Sequence, residues 1–149
     1  MNPILIDTNV LVYVFDRENG NKQTRSVEIL RSLAAAQLGY LSVQNLNEFF
    51  NVVTRKLDPP LRTQEARQYV DGFINTYTII PLTTNIVVEA LRGVSEHKLQ
   101  IYDAQLWATA KLNQIPILLS EDFQDGATLE GVRFLNPFTN KFSLDDWLF

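Results

Sequence analysis

The sequence predicts an α/β domain, a three-layer α/β/α sandwich built on a central five-stranded parallel sheet. Three observations carry this. Runs such as Ile4-Leu5-Ile6 and Ile117-Leu118-Leu119 are apolar throughout, not alternating, as strands covered on both faces must be. Stretches of helical periodicity separate them, so consecutive strands are joined by crossovers that place helices on both faces. A length of 149 residues with 46% apolar and 20% charged residues suits one core.

Ile4–Ile6 is the first strand, closed by Asp7-Thr8-Asn9. Val10 to Phe15 begins a short helix that dissolves in the polar stretch 16–23. Val27, Leu30, Leu33 and Ala34 recur at helical spacing, and Gly39 marks that helix's end. Tyr40-Leu41-Ser42 is the second strand, and Ser42 caps a helix over 43–57 that stops before Pro59-Pro60. A further helix runs from Thr63 to about Asn75, followed by a third strand, Thr78-Ile79-Ile80. Thr83 or Thr84 caps the next helix, to about Lys98, and Asp103 opens the helix Ala104–Leu112. Ile117–Leu119 and Val132–Leu135 are the fourth and fifth strands. No internal repeat, linker or low-complexity block interrupts the order.

The composition excludes several classes. Without cysteine there is no thiolate zinc site, thiol nucleophile or disulfide framework. A net charge of −4 is unlike a basic nucleic-acid module. The charge is uneven, however: residues 1–75 balance eight basic against eight acidic residues, and residues 76–149 hold five against nine. No apolar run reaches the roughly 18–20 residues of a membrane span, and the N-terminal run lacks a basic leader. The expectation is a cytoplasmic protein without membrane contact.

Ligands of such folds gather outside the carboxyl ends of the strands. Asp7, Ser42 and Ser120-Glu121-Asp122 each follow a strand directly, which places them on one rim. Glu48 sits in a polar stripe, Gln44, Glu48, Asn51 and Arg55, on a helix otherwise bulky and apolar. Asp103 precedes a helix of small apolar residues. Any one of these acids could be a cap or a solvated charge. Together they would repel one another and raise each other's pKa unless a cation neutralised them. With no cysteine and one histidine, the available site is oxygen-only, which suits Mg²⁺ or Mn²⁺.

Ile6-Asp7-Thr8-Asn9-Val10-Leu11, Asn47-Glu48-Phe49, Tyr102-Asp103-Ala104 and Leu119-Ser120-Glu121-Asp122, in that order, resemble PIN-domain ribonucleases, in particular VapC-type toxins of prokaryotic toxin–antitoxin pairs. The resemblance spans Ile4 to about Pro137. It implies a Mg²⁺- or Mn²⁺-dependent endoribonuclease in which Asp7, Glu48, Asp103 and Asp122 are the catalytic acids. Of these, Asp7, Asp103 and Asp122 would be metal ligands, and Glu48 a ligand or an orienter of water. Asn9 and Ser120 match supporting positions. The resemblance also implies an RNA substrate, a small antitoxin partner and a homodimer.

An acidic pocket needs cations at its rim to steer a polyanion. Arg17 and Arg55 are the candidates for RNA binding, with Lys22 and Arg25 nearby in the sequence. His97 lies at a polar helix end, where a cation suits the dipole, and Trp107 and Tyr102 are expected in the core. Residues 1–137 form the nuclease-like domain. Residues 138–149, with Phe142, Trp147, Leu148 and Phe149, form an apolar tail expected to dock on the body or on a partner. The main alternative is a catalytically inactive PIN scaffold that binds RNA or protein. A phosphotransfer domain with Asp7 as nucleophile is disfavoured, because Asn9 stands where haloacid-type phosphatases need a second Asp.

Overall fold

The computed structural model describes residues 1–148. Its elements run β1 (Ile4–Ile6), α1 (Thr8–Tyr13), α2 (Gly20–Ala36), β2 (Gly39–Ser42), α3 (Val43–Arg55), α4 (Thr63–Thr76), β3 (Thr78–Ile80), α5 (Thr84–His97), α6 (Ile101–Leu112), β4 (Ile117–Leu119), β5 (Thr128–Leu129), β6 (Val132–Leu135) and α7 (Asp145–Leu148). The strands form one sheet in the order β3-β2-β1-β4-β6-β5. All neighbours pair in parallel except β5 with β6.

The described sheet therefore has six strands, where five parallel ones were expected. The extra strand is half of a hairpin closed by Glu130-Gly131, whose φ values of 46° and 88° define the tight turn that matches strand twist. Glycine takes this conformation freely, but Glu130 pays for it in local strain and gives no turn signal in the sequence.

Alternation along each strand splits the core into two layers. Ile4, Ile6, Leu41, Ile117 and Leu119 face α1 to α4, while Leu5, Leu118 and Phe134 face α5 and α6. Two glycines permit close approach. A Cβ on Gly39 would lie 2.7 Å from the Tyr77 ring, and one on Gly93 would lie 2.8 Å from the ring of Trp107. Gly39 thus begins β2 instead of ending a helix; Gln37, with φ of 58°, is the left-handed cap of α2.

Other boundaries shift for physical reasons. α2 starts at Gly20, inside the stretch expected to be loop, because its polar residues occupy a solvent-facing first turn. α6 starts at Ile101, capped by the Gln100 side chain accepting from the amides of Tyr102 and Asp103. Asp103 is therefore a first-turn residue with no capping duty. The earlier start also turns Tyr102 outward to 59% exposure, while Trp107 is fully buried as expected.

Residues 138–148 lie against α2 and β6. Arg25 donates to the carbonyls of Pro137 and Phe142, Phe138 packs edge-on against Tyr13, and Leu148 is buried. Phe149 lies outside the described residues. Among the described residues, no helix is long and apolar enough to cross a membrane.

Candidate active site

β1 is the switch point of the sheet, with β2 on one side and β4 on the other. At such a point the crossovers diverge and leave a crevice at the strands' carboxyl ends. Asp7 directly follows β1 and Ser120 directly follows β4, and the register Ile6 opposite Leu119 sets the two side by side. Asp7 is buried; its Oδ1 accepts from the Thr8 amide at 2.6 Å and its Oδ2 from the Ser120 hydroxyl at 2.6 Å. Ser120 Oγ in turn accepts from the amide of Asp122 at 3.0 Å. Asn9 Nδ2 donates to Asp122 Oδ2 at 3.2 Å and to Ser120 Oγ at 3.4 Å. Asp7, Asn9, Ser120 and Asp122 thus form one hydrogen-bonded group across two strand ends.

α3 is aimed at the same crevice by buried polar contacts. Ser42 and Asn45 form a reciprocal capping box, and Asn45 Nδ2 donates to Thr8 Oγ1 at 3.1 Å, tying the start of α3 to that of α1. Glu48 follows one turn later, half-buried, with Gln44 Nε2 donating to its Oε1 at 2.6 Å. The carboxylate of Asp103, also half-buried, accepts no hydrogen bond among the described residues.

The electrostatics run in one direction. Burial raises the Asp7 carboxyl to about 7, against the lowering influence of the Ser120 and Thr8 hydrogen bonds, and the charges of Asp122 and Glu48 raise it further. Glu48 is raised by desolvation and by Asp122, and Asp103 by desolvation, Asp122 and Glu48. The four acids share a field of one sign. Among the described residues, no three of them close into a ready metal cage. The donors are hard oxygens throughout, and Asn9 Oδ1 is buried without a hydrogen-bond partner. This chemistry fits Mg²⁺ or Mn²⁺ held by one or two carboxylates and water.

The cations expected at the rim differ in their surroundings. Lys22 Nζ is committed to Glu121 Oε2 at 2.8 Å, and Tyr13 donates to Glu121 Oε1 at 2.6 Å. Arg17 is exposed on a groove lined by Phe15, Tyr69 and Phe73. Arg55 is exposed in the last turn of α3, about 10 Å along the axis beyond Glu48, since the helix rises 1.5 Å per residue. His97 sits with Glu130 against Trp107, in the α5–α6–β5 cluster.

Two residues at the site escape a motif-based view. Tyr13 lies one turn after Asn9, so helical spacing could have found it. Gln105 is a lone amide in the buried run Ala104–Ala110, and an unexplained polar group there is the signal it gives.

The fold and the site together define an α/β domain whose acid-lined crevice lies at the switch point of a mostly parallel sheet. The PIN domain sequence profile matches residues 4–124, and the chain belongs to this family of nucleases. Several solved structures share the fold. A toxin–antitoxin complex from Klebsiella pneumoniae is 21% identical with a TM-score of 0.66, covering 90% of this chain and 97% of that one. DNA-bound VapBC from Salmonella typhimurium is 16% identical with a TM-score of 0.63, over 90% of this chain and 97% of that one. VapC20 from Mycobacterium tuberculosis, described as a sarcin–ricin-loop-cleaving toxin, is 17% identical with a TM-score of 0.61, over 87% of this chain and 98% of that one. No curated protein matches the sequence.

Proposed function

We propose that the protein is a Mg²⁺- or Mn²⁺-dependent endoribonuclease, the toxin of a toxin–antitoxin pair. The observation that carries the reading is the crevice with four uncompensated carboxylates, Asp7, Glu48, Asp103 and Asp122, each of the first three raised in pKa by burial and by its acidic neighbours. A binding scaffold gains nothing from negative charge facing RNA, whereas a cation site requires it.

Asp7, Asp103 and Asp122 would hold the cation, with Asn9 and Ser120 fixing the two strand-end acids. A bound divalent ion supplies Lewis acidity toward phosphoryl oxygens and a water acidic enough to be hydroxide near neutral pH. Asp7 is oriented before any ligand arrives, because Thr8 and Ser120 hold its two oxygens. Asn9 does the same for Asp122 Oδ2. Glu48 has Oε1 occupied by Gln44 and makes no hydrogen bond through Oε2 among the described residues, so Oε2 is the atom that would orient a water or accept its proton. Arg17 and Arg55 are proposed contacts for RNA flanking the crevice.

The similar toxin–antitoxin complex from Klebsiella pneumoniae and VapBC from Salmonella typhimurium support a small protein antitoxin as partner. A homodimer is proposed with it, and light scattering tests that directly. Cleavage of a mixed RNA pool is expected with Mg²⁺, to cease with EDTA, and to be lost in Asp7→Asn. Equal cleavage under EDTA, or full activity in Asp7→Asn, would overturn the reading.

A further inference from the structure

Glu48 and Asp103 approach the crevice from two different helices, α3 and α6, and their charges oppose each other. A buried pair of amides lies between the helices and is not used by the proposed chemistry. Gln44, one turn before Glu48, is 8% exposed, and Gln105, on α6, is 9% exposed. Gln44 Nε2 donates to Glu48 Oε1 at 2.6 Å and to the carbonyl oxygen of Tyr102 at 3.1 Å. Tyr102 immediately precedes Asp103. Gln44 Oε1 accepts from Gln105 Nε2 at 2.7 Å.

These contacts admit one orientation of the Gln44 amide. Reversed, its oxygen would face a carboxylate and a carbonyl, and its NH₂ group would meet that of Gln105. Glu48 and the Tyr102 carbonyl thus take the NH₂ end of Gln44, and Gln105 satisfies the oxygen that remains. Apolar residues of equal size would pack α3 on α6 without the desolvation cost of two amides, so packing alone does not account for them.

We infer that Gln44 and Gln105 are positioning residues: a buried amide relay that fixes the rotamer of Glu48 and ties it to the backbone next to Asp103. The inference rests on the reading of Glu48 as an active carboxylate. Through the Tyr102 carbonyl, one amide sets the spacing between acids that would otherwise drift apart. Gln105 touches neither of them.

The test uses three variants of the whole protein, each checked for folding by thermal melting. Gln105→Glu replaces the donor to Gln44 Oε1 with a carboxyl that, when ionised, only accepts and so opposes the observed orientation of the Gln44 amide. Gln105→Met keeps the volume and imposes no direction. Gln44→Met removes the donor itself. With RNA and Mg²⁺, Gln105→Glu and Gln44→Met are expected to lower kcat about tenfold or more with KM within about twofold, while Gln105→Met stays within about threefold of the parent. In the EDTA-treated protein, the Gln44 side-chain amide should give a nitrogen–proton NMR signal protected from exchange and shifted by Glu48→Gln.

The relay is overturned if Gln105→Met is as damaging as a folded Gln105→Glu, if both are harmless, or if the Gln44 signal exchanges freely and ignores Glu48→Gln. If Gln105→Glu fails to fold, full activity in Gln44→Met overturns it instead. If the parent protein cleaves no RNA, the ribonuclease reading fails, and the NMR signal alone decides the relay.

Discussion

The protein holds two clusters of acids that behave in opposite ways. In the crevice, Asp7, Glu48 and Asp103 are pushed toward protonation, with no cation among their partners. At the β5 edge, Glu89, Glu96 and Glu130 surround Arg92, with Lys111 and His97 joining. There Glu130 is held down to about 2, chiefly by Arg92 and then by His97. Arg92 and Lys111 also lie over Trp107, whose Nε1 donates to the Leu129 carbonyl, so the charges lock the hairpin onto α5 and α6. The residue types are the same. One cluster pairs its acids with cations and serves the scaffold; the other holds no cation among the partners of its acids.

The largest effect that sharpens this contrast is on activity. Asp7→Asn should cut RNA cleavage by on the order of 10²–10³, while its melting temperature in EDTA holds or rises, because a costly buried charge has gone. Mn²⁺ should stabilise the parent by about 2.7 kcal/mol at a hundredfold excess over its Kd and leave Asp7→Asn nearly unmoved. A parent whose melting temperature ignores Mn²⁺ would break the comparison.

Substitutions at the other cluster should do the reverse. Gly93→Ala sets a Cβ 2.8 Å from the Trp107 ring, which is fully buried and cannot yield. Overpacking costs about 1–3 kcal/mol, which outweighs the roughly 1 kcal/mol that alanine gains in a helix. A lower urea midpoint with an unchanged Mn²⁺ affinity is expected. Lost affinity would show that the two regions are coupled.

Much of this was legible in the chain. The fully apolar strands and the acids at their ends announce the crevice, because burial on both faces and a switch-point rim leave local marks. What escaped was tertiary or lacked a local mark. Glu130-Gly131 forms a hairpin turn without the usual Asn or Asp. Lys22 reads as a free cation until Glu121, 99 residues away, is seen to hold it. Gln100 takes the capping role that the sequence assigns to Asp103, since its longer side chain reaches the first-turn amides. Gln105 acquires meaning only against Gln44 on another helix.

The smallest effect separates the clusters by pH. In EDTA, Asp7 is protonated in the folded state up to about 7 but ionised above about 3.8 when unfolded. Between those values the folded state binds more protons, so stability rises as pH falls from about 7 toward 4. Glu48 and Asp103, also raised, add to this limb. Glu130 works in the opposite sense: held at about 2 against an ordinary 4.5, its contribution is complete above 4.5 and is lost as pH falls through 2. Urea midpoints across pH 2–8 should therefore pass through a maximum near pH 4. Asp7→Asn should flatten the upper limb and spare the lower, and Glu130→Gln should do the converse, with its effect the smaller because that cluster is exposed to solvent. Saturating Mn²⁺ should also flatten the upper limb, since a cation that neutralises the crevice removes the reason for Asp7 to take up a proton. An upper limb unchanged by both Asp7→Asn and Mn²⁺ would mean that the crevice acids do not share one field, and the contrast between the clusters would collapse.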